Sequence, residues 1–205
     1  MEPSLRLTVP RAEAYTKVNY ALRIVPFYFI MFLGHMILYG GYRGAAFIVA
    51  VVNWILGIIT GHNQRELTQY LQSYMRFKAQ FLSSLLGLVE DIPHIDIAVN
   101  NPNFSVKCEV SSTEAVTPLA CFLRLSFLIL VLVIDHLLVI SLAAVVGVIL
   151  YIVGLFMVAI KGTWNPFIHG YLTNLLRWIL TVEAYILGLS DTRPDFMANL
   201  KSLKP

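Results

Sequence analysis

The sequence predicts an all-α membrane protein of two tandem units, each a transmembrane helical hairpin followed by an amphipathic interfacial helix, with minor cytoplasmic β segments. Two observations predict this fold class. The 205 residues are 58% apolar and only 13% charged, and the mean hydropathy of +0.71 is too high for an ordinary soluble domain. The second observation is an internal repeat with one constant offset, seen first in His35 and His136, which lie 101 positions apart.

Two apolar blocks supply the predicted membrane spans. Residues 18–60 and 119–160 carry few charges, and each block is about twice the length that one spanning helix needs. The stretch "YGGYRG" at 39–44 interrupts the first block, because glycine favours turns, and a weaker break lies at 141–143. We therefore predict four spanning helices, at residues 18–39, 45–60, 119–140 and 143–161.

The repeat divides the chain into a first unit, residues 1–95, and a second unit, residues 96–205. One offset without a gap carries all the identities, which indicates a tandem duplication. Because each unit is expected to cross the membrane twice, both copies insert in the same orientation, and a pseudo-twofold axis along the membrane normal is expected. The matched pairs include Arg23 and Arg124, Gly61 and Gly162, Tyr70 and Tyr171, Arg76 and Arg177, Gly87 and Gly188, and Pro93 and Pro194.

A long stretch with helical spacing of apolar residues follows each predicted hairpin. These stretches, 65–89 and 166–190, mix aromatic and basic residues, as do helices that lie in the membrane interface. The alternative is that they pack over the hairpins. Between the units, the linker 96–118 contains alternating apolar residues and predicts a small strand pair, which "LRLTV" at 5–9 could join.

The distribution of basic residues predicts the topology. Of the 15 Lys and Arg residues, only Arg43 falls at a predicted hairpin tip, so both termini and the central segment are expected in the cytoplasm. No cleaved signal peptide is expected. Cys108 and Cys121 would then face a reducing compartment, and we interpret both as structural.

An Asp-His pair interrupts the aliphatic run "LVLVIDHLLVISL" at 130–142. His35 occupies the same depth in the first unit as His136, next to Asp135. One interpretation is a hydrated pair at the membrane boundary. The alternative is that His35, Asp135 and His136 converge on the pseudo-twofold axis and bind a proton or a metal, as ionisable groups inside membranes often do. We predict no bound metal or cofactor.

The second unit resembles an uncharacterised bacterial integral-membrane family, known only as a domain of unknown function. The motif is Gly, Pro four residues later, Arg-Trp, Ala-Tyr, then Asp and Pro-x-Phe, and the first unit departs from it at Arg65, Phe77, Ser84 and Ile95. The resemblance implies the fold and a bacterial inner membrane location, and no activity. The matching positions are Gly162, Pro166, Arg177, Trp178, Ala184, Tyr185, Asp191, Pro194 and Phe196.

The candidate functional surface is a set of aromatic and basic residues on and beside the two amphipathic stretches. Such residues dominate contact energies in protein interfaces, so we expect a surface that binds a partner or lipid. Four further residues, Gly61, Gly162, Pro166 and Pro194, are interpreted as structural turns. The predicted binding surface comprises Arg76, Trp164, Tyr171, Arg177, Trp178 and Tyr185.

Three functions remain open from the sequence, and none is enzymatic, because no nucleophile-base pair or metal-ligand set is visible. The first is a scaffold or accessory subunit of a membrane complex. The second is a hairpin protein that shapes membranes. The third is a small oligomeric transporter or channel that uses Asp135 and His136. The expected partners are the lipid bilayer and another membrane protein or a second copy of the chain, and not nucleic acid.

Overall fold

The computed structural model describes residues 5–24, 27–98, 103–112 and 115–203. The chain is mostly helical, with two short strands, as the sequence predicts. The elements in chain order are β1 (Leu5–Thr8), α1 (Lys17–Ile24), α2 (Phe27–Thr60), α3 (Arg65–Leu85), β2 (Lys107–Val110), α4 (Pro118–Leu125), α5 (Ile129–Leu132), α6 (Ile134–Lys161), α7 (Pro166–Leu187) and α8 (Phe196–Ser202).

The predicted hairpin tips are absent, because α2 runs unbroken through residues 39–44 and α6 runs unbroken through 141–143. A glycine inside a helix costs only about 1 kcal/mol relative to alanine. Gly40 and Gly41 face open space, so their lack of a side chain leaves no gap in a packed core. Each apolar block therefore contains one long helix, α2 or α6, preceded by shorter helices, where the sequence predicts two spans with a turn between them.

The chain reverses instead at the glycines that follow α2 and α6. Gly61 and Gly162 have φ angles of 71° and 78°, a left-handed conformation that favours glycine. Pro166 then occupies the first turn of α7, and the side chain of Asn165 accepts hydrogen bonds from two backbone N–H groups of that turn. These residues make helical hairpins of α2 with α3 and of α6 with α7.

The four long helices run alternately in opposite directions. Tyr39 of α2 stacks on Phe81 of α3 with ring centroids 5.2 Å apart, which brings the start of one helix to the end of the other. Asn63, before α3, donates to the Gly188 carbonyl beyond the end of α7. Trp164, before α7, donates to the Gly87 carbonyl beyond the end of α3. Neighbours are therefore antiparallel, and so are α2 and α6.

Equivalent contacts recur in the two units, as expected for a pseudo-twofold axis. The Tyr15 amide donates to the Gly162 carbonyl at 2.8 Å, and the Val116 amide, 101 residues on, donates to the Gly61 carbonyl at 3.0 Å. Helix α1 packs against α6 of the other unit, and α4 packs reciprocally against α2. Each unit thus covers the hairpin of its partner, which interlocks the two units.

A two-stranded ribbon lies on α3 and α7 near the middle of their length. Strands β1 and β2 pair in antiparallel register, with Leu7 opposite Cys108. Both of these side chains are buried, whereas Arg6, Lys107 and Glu109 point outward and are exposed. The partner of β2 is therefore the amino-terminal strand. Residues 99–102 lie outside the described part of the chain, and residues 95–98 form no strand.

The ribbon and the long outer helices lie on opposite sides of the α3/α7 pair. Gln72 of α3 donates to the Val110 carbonyl of the ribbon, while Tyr74 and Lys78 line a cavity together with residues of α2 and α6. Two residues along a helix turn the side chain by about 200°. The molecule thus has three layers, namely the ribbon, the α3/α7 pair and the α2/α6 pair.

The α2/α6 layer presents an aliphatic surface. Two stretches, Leu33–Thr60 and Ile134–Lys161, are long and apolar enough to cross a membrane, as judged by length and composition. Only 28% and 17% of their most apolar windows are buried, so neither is an ordinary core helix. The exposed large apolar residues there are Leu33, Ile37, Phe47, Ile48, Val52, Ile55, Ile59, Ile134, Leu137, Leu138, Leu142, Val145, Val146, Val148, Ile149, Ile152, Val153, Phe156 and Ile160.

Candidate functional site

The predicted intramembrane polar residues do not converge. His35 lies 3.2 Å from the Pro93 carbonyl at the end of the bundle that holds the α6–α7 turn, whereas His136 lies at the opposite end. The Nδ1 of His136 accepts a hydrogen bond from Trp178 at 2.8 Å. Asp135 forms an exposed ion pair with Arg193 at 2.7 Å. Among the described residues, no group of three or more His, Cys, Asp or Glu side chains is placed to hold a metal.

Most of the predicted aromatic binding surface is core. Trp178 has no exposed area, and Trp164 and Tyr185 are only 2% and 7% exposed. The hydroxyl of half-buried Tyr171 donates to the Ala143 carbonyl. Helix α7 packs against α3 and α6, so Trp178 and Tyr185 fill the space between helices, while Phe167 at its start is exposed. The spacing that indicated an interfacial helix is the spacing of a helix buried on several sides.

The basic members of that surface are half-buried and bound within the protein. Arg177 donates to the Leu7 carbonyl of the ribbon at 3.2 Å, and Arg76 donates to the hydroxyl of Ser73. Pro194 is buried two residues before α8, and its carbonyl faces the ring of His136. These residues therefore hold the fold together.

A polar groove of about 620 Å³ lies beside the α2–α3 turn and is the largest cavity described. Several of its polar groups already serve the turn. Asn63 accepts a hydrogen bond from Asn53 at 2.9 Å, and Gln72 donates to the ribbon. The groove is open to solvent and brings together no acid-base or nucleophilic set, so we assign it a structural role.

The candidate functional site is a second cavity, of about 380 Å³, between the α2/α6 layer and the α3/α7 pair. We call it the charged cavity. Its walls are mainly aliphatic and come from α2, α5, α6 and α7, including Leu130, Leu137, Ile140, Ile179, Val182 and Ile186. Against these walls stand four polar side chains, Arg43, Tyr74, Lys78 and Glu183.

A buried ion pair between the two units forms the floor of the charged cavity. The Nζ of Lys78 contacts a carboxylate oxygen of Glu183, and the hydroxyl of Tyr74 donates to the other oxygen at 3.1 Å. The Tyr39 ring lies 5.8 Å from the same Nζ. Lys78 is only 7% exposed. Burial, and next the charge of Glu183, raise the pKa of Tyr74, which keeps this hydroxyl a proton donor.

Arg43 lies at the mouth of the charged cavity. Its side chain is exposed, while Lys78 lies deeper and is buried. No described residue accepts a hydrogen bond from Arg43. Because Glu183 offsets the charge of Lys78, the cavity carries one net positive charge, on Arg43. An arginine in an otherwise apolar setting is costly unless an anion pairs with it.

The pseudo-twofold axis places an apolar cavity of about 240 Å³ opposite the charged cavity. The offset of 101 residues relates eight lining residues of one cavity to eight of the other. Leu175 replaces Tyr74, Ile179 replaces Lys78, and Leu82 replaces Glu183. Ala144 stands in the place of Arg43. We call this the apolar cavity, and it shows that the same backbone accommodates a lining without any charge.

Two arginines fix the ends of α3 and α7, which carry the floor of both cavities. Arg23 donates to the carbonyls of Ser84 and Val89. The equivalent Arg124 donates to the carbonyls of Tyr185 and Ser190. Both arginines are almost fully buried. Each donates to one carbonyl in the last turn of a long helix and to one just beyond that helix, so the position of α3 against α7 is held from both sides.

Sequence reasoning missed the ion pair of Lys78 and Glu183. The two residues are 105 positions apart and belong to different units, so only the antiparallel packing of α3 on α7 brings them together. The sequence did contain a signal for this pair, because each residue is charged where the equivalent residue of the other unit is aliphatic. Ile179 is equivalent to Lys78, and Leu82 is equivalent to Glu183.

Comparison with known proteins identifies one family. The family model described as "Domain of unknown function (DUF4389)" matches residues 23–95 and, a second time, residues 118–198. The two matches cover most of the chain and confirm both the resemblance to an uncharacterised family and the tandem repeat. No curated protein and no solved structure matches the chain.

Proposed function

We propose that this chain, which belongs to the family described as Domain of unknown function (DUF4389), is a non-enzymatic membrane protein that acts as a scaffold or accessory subunit. The observation that carries the proposal is the separation of surfaces across the three layers. The α2/α6 layer exposes aliphatic side chains, and the ribbon on the opposite face exposes Arg6, Lys107 and Glu109. Such a molecule suits a boundary between lipid and water.

The position of the ribbon favours helices that lie along one leaflet over helices that cross the bilayer. If α2 and α6 stood upright in a membrane, the ribbon would lie near the middle of the hydrocarbon layer. Charged side chains there cost several kcal/mol each, and lipid-exposed sheet edges do not occur at that depth. We therefore place α2 and α6 in one leaflet, with the pseudo-twofold axis along the membrane normal. This placement replaces the multi-pass topology that the sequence predicts.

The proposed orientation agrees with the distribution of basic residues. Arg6 and Lys107 lie on the outward face of the ribbon, and Arg76 and Arg177 lie beneath it, with Arg177 bonded to β1. Basic residues favour the cytoplasmic side. We propose the cytoplasmic leaflet of a bacterial inner membrane, with both termini in the cytoplasm.

Cysteine labelling tests this placement. His62 and Thr163 occupy the two interhelical turns, at opposite ends of the bundle. We would replace buried Cys108 and Cys121 with alanine and introduce His62→Cys or Thr163→Cys. A reagent that cannot cross membranes should label both positions from the same side. Labelling from opposite sides would show that the helices cross the bilayer, and release of the protein by alkaline carbonate would refute membrane insertion.

The scaffold role requires a partner that binds the ribbon face. The interlocked units give this face a fixed shape, and it exposes the charged side chains of Arg6, Lys107 and Glu109. Gentle extraction and mass determination of the intact complex should show a second protein in fixed ratio. The variant Thr8→Arg, on the exposed face of β1, should release that protein, whereas Thr163→Arg, at a turn, should retain it. If neither variant released the second protein, the partner would bind a surface other than the ribbon face.

Membrane shaping is the second candidate function, and the two long helices of the α2/α6 layer favour it. Helices that insert into one leaflet only add area to that leaflet and bend the membrane. Purified protein should then convert liposomes to tubules, and vesicles that stay round at high protein density would count against it. The third candidate, a small oligomeric transporter or channel that uses Asp135 and His136, stays a prediction, and the position of His35 at the opposite end of the bundle from His136 does not favour it.

A further inference from the structure

The features of the charged cavity indicate what kind of ligand would fit it. It has aliphatic walls, one unpaired guanidinium at its mouth and a neutralised ion pair with a tyrosine at its floor. A volume of about 380 Å³ lies within the usual range for small-molecule sites. A ligand that fits has one negative charge, polar groups around that charge and an apolar remainder.

We propose that the charged cavity binds an anionic phospholipid drawn from the bilayer, with its phosphate on Arg43. The guanidinium of Arg43 offers paired N–H donors that match two phosphate oxygens. Lys78, Glu183 and Tyr74 are placed to bond the polar part of the headgroup beyond the phosphate, because a single carboxylate and a hydroxyl can accept and donate to alcohol groups. The proposal rests on the membrane placement above.

The direction in which such a lipid would lie follows from the layers. The floor of the charged cavity belongs to the α3/α7 pair, nearer the ribbon and the water, whereas its walls belong to α2 and α6. A headgroup at the floor therefore leaves its acyl chains running along exposed apolar residues such as Phe47 and Leu137 into the leaflet. The headgroup then points towards the water and the acyl chains point into the leaflet, as they do in the bilayer. The lipid therefore leaves the membrane only in part when it binds.

The apolar cavity serves as an internal reference for the charge. Its described lining comes from α3, α6 and α7, and Ala144, Ile179 and Leu82 stand there at the positions equivalent to Arg43, Lys78 and Glu183 of the charged cavity. It offers no cation to a phosphate, and its one tyrosine hydroxyl, that of Tyr151, already donates to the Leu85 carbonyl. We therefore expect one anionic phospholipid per chain and not two, which a mass measurement counts directly.

The test is retention of a defined lipid by the full chain in detergent micelles, measured by native mass spectrometry. Micelles containing phosphatidylglycerol should give one bound lipid, and micelles containing phosphatidylcholine should give none, since a choline group brings a cation to Arg43. Arg43→Gln should weaken retention of phosphatidylglycerol about tenfold or more, the loss expected for one charge-assisted pair. Arg43→Lys should retain part of the binding. The matched control, Arg65→Gln, removes an equal charge from an exposed position outside the cavity and should change nothing.

Three results would overturn the proposal. Equal retention by Arg43→Gln and the unchanged protein would exclude Arg43 as the phosphate ligand. Equal binding of phosphatidylcholine would show apolar adsorption, and complete displacement by inorganic phosphate would show an ion site. Because the measurement is made in micelles, it does not depend on which way the helices lie, so a failure here differs from a failure of the labelling experiment. Arg43 is exposed, and the melting temperature of each variant checks that the fold is intact.

Discussion

Removal of the buried guanidinium of Arg124 should destabilise the protein strongly. This side chain is 1% exposed. It donates to the Ser190 carbonyl at 3.0 Å and the Tyr185 carbonyl at 3.3 Å, and it pairs with Asp191 at 2.9 Å. Arg124→Met keeps the length of the side chain but leaves the buried Ser190 carbonyl without its donor and the Tyr185 carbonyl with only the Gly188 amide. A charged hydrogen bond contributes about 1.5–3 kcal/mol, and breaking a buried pair costs about 3–5 kcal/mol, so we expect a loss of about 3–5 kcal/mol.

The assay is reversible unfolding in detergent micelles, followed by tryptophan fluorescence. Arg193→Met is the matched control, because Arg193 pairs with Asp135 at 2.7 Å but both side chains are about half exposed. Exposed ion pairs contribute less than about 1 kcal/mol. If Arg124→Met lost no more stability than Arg193→Met, the view that these arginines hold the helix ends in place would be refuted.

Three further predictions concern single residues. Gly188→Ala should cost about 1 kcal/mol or more in the same unfolding assay, because Gly188 has a φ of 84° and a side chain there would approach Trp54 at 3.0 Å. Gly170→Ala is the control: this glycine lies inside α7 with open space around it, so the substitution should stabilise the protein by about 0.5–1 kcal/mol. Burial raises the pKa of the Cys108 thiol to about 12. The contribution of this thiol to stability should therefore be complete below the unfolded pKa near 9 and should disappear as the pH rises towards 12. If the free energy of unfolding of Cys108→Ala depended on pH in the same way as that of the unchanged protein, this prediction would be contradicted. Trp178→Phe removes the hydrogen bond to His136 and should cost about 1–2 kcal/mol, and no loss of stability would show that the bond is not formed.

The repeat was the part of the fold that the sequence predicted best. A constant offset requires equivalent local structure in both units, and the glycines at 61 and 162 end helices because their residue type suits positive φ angles. The position of the break within each apolar block was predicted wrongly. Length and composition allow either two short spans or one long helix, and glycines on an exposed helix face, such as Gly40 and Gly41, do not force a turn.

The burial of the aromatic residues could not be predicted, because helical periodicity shows which residues share a face and not what covers that face. Trp178 and Tyr185 follow the pattern of an interfacial helix, yet both are covered by neighbouring helices. Whether lipid or protein covers the apolar face of α7 depends on how α7 packs against α3 and α6. That packing depends on contacts between residues about 100 positions apart, which one sequence does not reveal.

The two cavities provide the strongest argument that the charges serve a function. Stability does not require charges at these positions, because the equivalent positions of the other unit hold Leu82, Ala144 and Ile179. Buried ion pairs seldom stabilise a fold more than aliphatic residues of similar size, and an unpaired Lys78 or Glu183 would cost several kcal/mol. The three charged positions come from three different helices, α2, α3 and α7, and meet in one cavity. Charged side chains that meet in one cavity without being required for stability are best explained by a ligand that pairs with them.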